Sequence, residues 1–341
     1  MHFDWAERHW FLCFVTDQRK CGFRHLWCPG VQALGSASEV VKSEDVMFEK
    51  VPTALIAIAA AFIPEIVCSQ TTVEDRLALD QPPVVIAHRA VVGDVPDNSL
   101  AGIQNAIDRG VDMVEVDVQP VSDGQYILMH ENNLIDMTDV KEVFPEGAPS
   151  RGGSSLGLRH LTNDYSLEEI SRLRLKSAEG EVHPVATLEA ALQLARGQVL
   201  LALELKRWET DSLVALLEQH DTSNVVLFSQ FEPAKLKATA EAAGIAVWAL
   251  ANSGDENQDI AVSLERYGTR LKLLQVKASQ LTPGFVDKLE SLGVRALVKG
   301  SAKEDRGLIR GDASLWQEAV NAGAGALLTG YPDEVLTLLG R

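Results

Sequence analysis

Residues 113–130, "MVEVDVQPVSDGQYILMH", contain two apolar runs that are typical of β-strands, at 113–119 and 126–130. Only the six residues "PVSDGQ" separate the runs, whereas a crossover between parallel strands needs on the order of a dozen residues. The stretch therefore predicts an antiparallel hairpin that turns at Asp123-Gly124, a residue pair that favours tight hairpin turns. This hairpin decides the fold because it sets how many strands are left to run parallel.

From Val84 onward, β-branched apolar runs alternate with amphipathic helical patterns. Further strands are predicted at 84–88, 199–206, 225–230, 246–250, 272–277, 295–299 and 325–329. Helices are predicted at 99–109, 166–174, 187–196, 211–220, 233–243, 258–267, 282–292 and 312–322. Nine strands less the hairpin arm leave eight, so residues 84–341 are expected to form a (β/α)8 TIM barrel with an extra β-hairpin arm after the second strand.

The composition is that of a globular protein: 341 residues, 46% hydrophobic and 23% charged. The net charge is -17, from 31 basic and 48 acidic residues, and such a field repels nucleic acid and anionic membranes. No nucleic-acid partner is expected, and a small-molecule anion would have to be bound by a local group of cations. The sequence does not determine the oligomeric state.

The chain before the barrel has a different character. Residues 1–46 follow no helical or strand period and form an unassigned N-terminal extension, with Met47 as a candidate start. Residues 47–69 join Lys50, an apolar run over 54–63 and small residues, which is the layout of a signal peptide. The run is too short for a stable membrane span, so we expect a periplasmic or secreted protein; a lipoprotein modified at Cys68 and a buried core helix are the alternatives. All four cysteines precede residue 69, which excludes thiol chemistry in the barrel.

Acidic residues interrupt two otherwise apolar strands. Glu115 and Asp117 alternate with valines, so a period of two residues sends both carboxylates to one face. The strand "VLLALELK" at 199–206 ends in Glu204 and Lys206, again on one face. Inward acids repel one another unless a cation lies between them, and an oxygen-rich site suits a hard divalent cation. Calcium or magnesium is therefore the expected cofactor.

Two histidines end apolar strands, His88 after "VVIA" and His130 after "YILM". Two such groups beside a metal could serve as general acid and general base on a phosphodiester. Arg89 offers a planar fork of donors for phosphate oxygens, and Lys206 could add a point charge. Each residue also has a plainer interpretation: a histidine at a strand end is usually structural, and Arg89 could simply pair with an acid such as Asp94 or Asp97.

The order of these groups resembles the glycerophosphodiester phosphodiesterase family. The resemblance runs from about residue 84 to 336 and is carried by "HRA" at 88–90, "PDNS" at 96–99, "EVDV" at 115–118, "DG" at 123–124, "HE" at 130–131, "ELK" at 204–206, "SQF" at 229–231 and "LLTGYPD" at 327–333. It implies a barrel of the phospholipase-C-like phosphodiesterase type. It also implies hydrolysis of small-molecule glycerophosphodiesters to glycerol 3-phosphate and an alcohol.

The resemblance also implies roles for individual residues. The catalytic pair would be His88 and His130, with the assignment of acid and base left open. The metal ligands would be Glu115, Asp117 and Glu204. The phosphate-binding residues would be Arg89 and Lys206. Two other readings stay open: a phospholipase-D-like or cyclising lyase on the same barrel, and a phosphodiester-binding protein with impaired catalysis.

Three residues depart from the family pattern. Asp97, beside Asn98, replaces a glutamate and could fall short of the site. Ala90 replaces a glycine, so we expect a negative φ there. Lys299 replaces a neutral asparagine and is either solvent-exposed or part of an altered leaving-group pocket. Asp97, Asn98 and Lys299 are therefore secondary candidates for the site.

Overall fold

The structure, a computed structural model, describes residues 70–151, 160–177, 181–300 and 304–341. The extension predicted at 1–46 and the signal peptide predicted at 47–69 lie outside these residues, and both stay predictions. Among the described residues, no helix has the length and apolar character needed to cross a membrane.

Eight parallel strands close into a barrel, because the first strand pairs with both the second and the last. The barrel strands are β1 (Val84–Ala87), β2 (Met113–Pro120), β6 (Leu200–Leu205), β7 (Val225–Phe228), β8 (Ala246–Leu250), β9 (Leu271–Val276), β10 (Arg295–Lys299) and β11 (Ala326–Thr329). The predicted (β/α)8 barrel is confirmed.

The extra strand is β3 (Tyr126–Leu128), which runs antiparallel to the end of β2. Its register pairs Val118 with Leu128 and Pro120 with Tyr126. Between them Gly124 has φ +80°, a conformation that glycine adopts without steric cost. The predicted hairpin arm is therefore present, and it carries the chain to His130 beside the barrel mouth.

Helices surround the barrel, and most of them pack on its outer face. They are α1 (Val73–Arg76), α2 (Leu100–Arg109), α3 (Val140–Val143), α4 (Leu167–Ile170), α5 (Leu188–Ala195), α6 (Thr210–Leu217), α7 (Pro233–Ala243), α8 (Glu256–Tyr267), α9 (Pro283–Glu290), α10 (Glu304–Ile309), α11 (Ser314–Asn321) and α12 (Pro332–Leu338). The helix predicted at 166–174 is wrong beyond residue 170. There, a short strand β4 (Arg174–Leu175) pairs with β5 (His183–Pro184).

The strands separate two apolar cores. Alternate residues such as Ile86 and Leu297 fill the barrel interior, while Val85 and Val298 pack outward against the helices. Within the interior, the rings of Phe228 and Trp248 stack with centroids 4.4 Å apart. This alternation fixes which side chains reach the mouth of the barrel, because every second residue of a strand points inward.

The N-terminal end of the barrel is closed by the segment that precedes β1. Arg295, at the start of β10, is almost fully buried and donates hydrogen bonds to five backbone carbonyls, those of Leu77, Ala78, Gln81, Pro82 and Gly325. Val73 and Leu77 of the same segment join the interior core. Functional groups are therefore concentrated at the C-terminal end, where barrel enzymes build their sites.

Candidate active site

The turn after β1 has an unusual backbone. Arg89 and Ala90 have φ values of +54° and +56°, so the expected negative φ at Ala90 is wrong. A left-handed residue that is not glycine costs about 1–2 kcal/mol, which the surrounding contacts must offset. Gly102 of α2 makes room for the turn, because a Cβ at that position would lie 2.0 Å from the Ala90 carbonyl oxygen.

This turn brings His88 and Arg89 to the carboxylates of β2. The backbone N–H of Arg89 donates to Glu115 Oε2 at 2.9 Å, and His88 Nε2 lies 3.9 Å from the same oxygen. Both side chains keep about a quarter of their surface exposed, 25% for His88 and 27% for Arg89. A ligand at the barrel mouth can therefore reach both groups.

The three predicted metal ligands meet at the C-terminal end of the barrel. Glu115, Asp117 and Glu204 are buried, and each offers one carboxylate oxygen within 4.8 Å of the other two. Strand register explains the meeting, since Asp117 of β2 lies directly opposite Glu204 of β6. Packing three acids this closely in the interior is costly without a counter-charge.

Lys206 supplies part of that counter-charge. Its Nζ lies 2.9 Å from Asp117 Oδ1 and 2.7 Å from Glu204 Oε1. The structure thus places Lys206 on two of the acids, and its predicted contact with phosphate stays a prediction. One ammonium cannot balance three carboxylates, and Glu115 Oε1 accepts no hydrogen bond from any residue the structure describes.

Asn98 positions the central acid. Its Nδ2 donates to Asp117 Oδ2 at 2.9 Å, and its Oδ1 accepts from the Asp117 backbone N–H at 2.8 Å. Asn98 itself has φ +57°, and its N–H donates to the Arg89 carbonyl at 2.7 Å. Asn98 therefore ties the loop after β1 to β2.

Arg89 has only loose contacts with acids. Its Nη1 lies 3.5 Å from Asp97 Oδ2, and its Nε lies 3.7 Å from Asp117 Oδ2. Asp97, a third of whose side chain is exposed, contacts Arg89 and is not among the three grouped carboxylates. The shorter side chain at position 97 thus reaches the arginine of the site rather than the acid cluster.

His130 approaches from the hairpin arm. Its Nδ1 lies 2.7 Å from Glu131 Oε1, and Gln119 Nε2 donates to its carbonyl at 3.2 Å. An open cavity of ≈ 570 Å³ is lined by His130, Lys206 and Phe231 among others. Gln119 was not predicted as a site residue, although it continues the two-residue period of the acids on β2.

The charged groups of the site shift one another's pKa values. Burial, and then the charges of Lys299 and Arg89, lower the pKa of His88 to about 3. Burial, and then the charges of Asp117 and Glu204, raise the pKa of Glu115 well above its usual value. Burial also opposes ionisation of Asp117, but the Lys206 charge and the Asn98 hydrogen bond outweigh it, and its pKa is lowered. A divalent cation would relieve this repulsion among the acids.

The residues present fit such a cation. All three candidate ligands are carboxylates, the donors that calcium and magnesium prefer. They are buried, they converge, and each has one oxygen without a hydrogen-bond partner in the described part of the chain: Glu115 Oε1, and Asp117 Oδ1 and Glu204 Oε1, which the Lys206 ammonium contacts only as an ion pair. Lys299, at the end of β10, is half-buried on the inner face of the barrel, so it belongs to the mouth and not to the outer surface.

Comparisons with known proteins identify the family. The sequence model of the glycerophosphoryl diester phosphodiesterase family matches residues 88–334. Glycerophosphodiester phosphodiesterase domain-containing protein 5 of Gallus gallus is 27% identical over 146 residues, and a glycerophosphodiester phosphodiesterase of Bacillus altitudinis is 28% identical over 127. The matches cover 41% and 36% of this chain but only 24% and 44% of those relatives.

Solved structures share the fold. A glycerophosphoryl diester phosphodiesterase from Parabacteroides distasonis superposes with a TM-score of 0.63 at 19% identity, over 80% of this chain and 93% of that one. An Oleispira antarctica phosphodiesterase, solved in complex with the product sn-glycerol-3-phosphate, gives 0.57 at 23% identity, over 76% and 98%. At these identities the structures support the barrel itself.

Proposed function

Because the chain belongs to the glycerophosphoryl diester phosphodiesterase family, we propose that it hydrolyses glycerophosphodiesters to glycerol 3-phosphate and an alcohol with the help of a divalent cation. The observation that carries this proposal is the meeting of three buried carboxylates with His88 and Arg89 at the barrel mouth. The product complex of the Oleispira antarctica relative supports a small-molecule substrate of this class.

In this proposal Glu115, Asp117 and Glu204 hold the cation, calcium or magnesium. When bound, the cation supplies Lewis-acid stabilisation of the charge that builds on the phosphoryl oxygens. Lys206, already bound to two of these acids, keeps a positive charge beside them and can donate to a phosphate oxygen with a remaining N–H. Its contribution is electrostatic and adds to that of the metal site.

Arg89 orients the phosphate. Its guanidinium is partly exposed and its two contacts with acids are long, at 3.5 and 3.7 Å, so N–H groups are free to turn toward an anion. A guanidinium can bind two phosphate oxygens through parallel hydrogen bonds. Asp97 and Asn98 support this arrangement, one by its contact with Arg89 and the other by fixing Asp117.

The two histidines move the protons. His88 is a neutral imidazole at neutral pH and can accept a proton, and the Glu131 carboxylate orients the ring of His130. One imidazole takes the proton of the attacking water and the other protonates the leaving alkoxide. A p-nitrophenyl leaving group needs no protonation, so the variant that loses the general acid should recover most on bis(p-nitrophenyl) phosphate.

A substrate panel tests the proposal. We expect wild-type protein to release glycerol 3-phosphate, and no cyclic phosphate, from glycerophosphocholine and glycerophosphoglycerol, and chelator to abolish this. His88→Ala and His130→Ala should each lower kcat by about 10²–10⁴-fold. Equal residual rates in wild type and both variants would refute hydrolysis and leave a binding protein. A cyclic product would indicate a lyase.

A periplasmic or secreted location is part of the same proposal. It rests on the sequence of residues 47–69, a lysine followed by an apolar run and small residues. It predicts that the exported protein begins near residue 70, which N-terminal sequencing of the mature protein checks. A mature protein that retains residues 47–69 would contradict it.

A further inference from the structure

Two lysines stand side by side where β9 and β10 end. Lys299 is the last residue of β10, and Lys277 directly follows β9. The strands pair in register, with Val276 opposite Val298, so the next pair along is Lys277 and Lys299. Neighbouring strands lie about 4.8 Å apart, which makes the two positions immediate neighbours.

Both lysines lie on the inner side of the barrel. Val276 and Val298 pack in the outer core, and Leu297 fills the interior. Alternation along the strands therefore turns the residues after Val276 and Val298 toward the mouth. Lys299 is half-buried and Lys277 is exposed.

Neither lysine of this pair forms an ion pair among the residues that the structure describes. The charge of Lys299 does act on Glu115, where it opposes the rise in pKa. Asp305, whose carboxylate lies against Gly300, uses both oxygens elsewhere, accepting from Trp316 Nε1, Thr329 Oγ1 and the Gly330 N–H. Like charges in directly opposite positions destabilise a sheet, and a bound anion would offset that cost.

The pair lies on the His88 side of the site. β11 lies between β10 and β1, with Lys299 opposite Leu328 and Ala87 opposite Thr329. The charge of Lys299 reaches His88, where it is the second cause, after burial, of the lowered pKa. The cavity lined by His130 and Phe231 lies at the ends of β2, β3, β6 and β7, and neither lysine of the pair lines it. A substrate whose phosphate binds between the histidines would thus extend one arm toward Lys299.

We propose that Lys277 and Lys299 form a second anion subsite, which selects glycerophosphodiesters that carry a further phosphate or carboxylate group on the arm along β9 and β10. The inference rests on the proposed function and narrows its substrate class. The second anion meets two ammonium groups, whereas a neutral arm leaves them unpaired.

Two substrates that differ by one phosphate test the subsite. Bis(glycerophospho)glycerol contains two phosphodiesters, and glycerophosphoglycerol contains one. We expect wild type to favour the dianionic compound in kcat/KM by about tenfold, after correction for its two equivalent phosphodiesters. Lys277→Met and Lys299→Met should remove this preference. Lys288→Met, which deletes an exposed lysine on α9, is the charge-matched control and should retain it.

A corrected kcat/KM ratio near 1 in wild type would overturn the subsite. A preference for the dianionic compound that survives in both lysine variants would also overturn it. Calorimetric Kd values for both compounds, measured with the His130→Asn variant in calcium, separate this result from failure of the proposed function. If wild type cleaves neither compound, the proposed hydrolysis is refuted. The subsite is still supported if the dianionic compound binds more tightly and Lys299→Met abolishes this difference. Equal Kd values for the two compounds refute the subsite.

Discussion

Gly102 is the residue on which the turn at 88–90 depends. Ala90 is fully buried with its carbonyl against the α2 backbone, so the turn cannot move aside for a new methyl group. We expect Gly102→Ala to destabilise the protein by about 1–3 kcal/mol, as overpacking does, and to lower kcat/KM by shifting His88 and Arg89. Urea unfolding and kinetics measure both effects.

Gly284→Ala is the matched control. Gly284 is also helical, in α9, but it is exposed and a Cβ there meets nothing within 4 Å. The substitution should leave activity unchanged and add up to about 1 kcal/mol through helix propensity. Similar stability and activity in the two alanine variants would show that the contact between Gly102 and Ala90 does not shape the site.

Lys206 neutralises part of the negative charge of the acid cluster. Lys206→Met leaves Asp117 and Glu204 buried without their ammonium partner, which should cost about 3 kcal/mol in metal-free protein. Calcium should restore part of this loss, because a bound cation replaces the missing charge. Thermal unfolding in chelator and in calcium checks this expectation; an equal loss in both conditions would mean that no cation enters the acid cluster.

For single residues, alternation with a period of two identifies the acids on β2 from the sequence, and the structure brings them together with Glu204. The same rule would have added Gln119. The backbone at Ala90 could not be predicted, since its positive φ depends on the space that Gly102 leaves in a different element. The contact of Lys206 with two acids was also missed, because it depends on the register between β2 and β6.

Among the elements, strands are the most predictable, because each is a short apolar run that is buried on both faces. The helix expected at 166–174 fails for a tertiary reason. Its last part, "RLRL" at 172–175, alternates like a strand, the Arg174 N–H donates to Asp139 Oδ1, and β4 pairs with β5. Helices α1, α3, α10 and α12 were not predicted, whereas the predicted start at residue 166 coincides with Ser166, the N-cap of α4.

Arg295 joins β10 to the segment that closes the barrel floor. Arg295→Met leaves the Leu77 and Gln81 carbonyls without a donor and removes one of two donors from Ala78, Pro82 and Gly325, so we expect a loss of about 3 kcal/mol. Amide hydrogen exchange over residues 77–82 should rise as well. Arg310→Met, at an exposed arginine, should change neither quantity. Unchanged exchange in the Arg295 variant would show that the floor is held by its apolar contacts alone.

For the whole molecule, Asp112 links the chain before β1 to its last residue. It accepts from Arg76, Arg341 and the Val85 N–H; burial opposes its ionisation, but these bonds outweigh burial and lower its pKa. Its contribution to stability is therefore present above the unfolded-state pKa of about 3.9 and is lost as the pH falls through the folded-state pKa.

Asp112→Asn should accordingly cost about 3 kcal/mol at pH 7, and the difference from wild type should shrink as the pH falls through the acidic range. Urea unfolding over a pH series measures the difference. A difference that stays constant with pH would show that the ionised carboxylate is not what stabilises the link.

The barrel as a whole was predictable because one hairpin turn reduced nine strands to eight. Closure at its floor was not predictable, since Arg295 has the sequence pattern of an ordinary strand residue and four of its five partners lie more than 200 positions away.

The central claim is that the three carboxylates hold a divalent cation, and a calorimetric titration of calcium or magnesium into chelator-treated protein tests it most directly. We predict that wild type binds one ion per chain. Glu115→Gln should lower the affinity by more than the roughly 10–100-fold that is typical when a residue hydrogen-bonded to a metal ligand is lost, and its circular dichroism spectrum should match that of wild type. No binding by wild type, or equal affinity in the folded Glu115→Gln variant, would contradict the account.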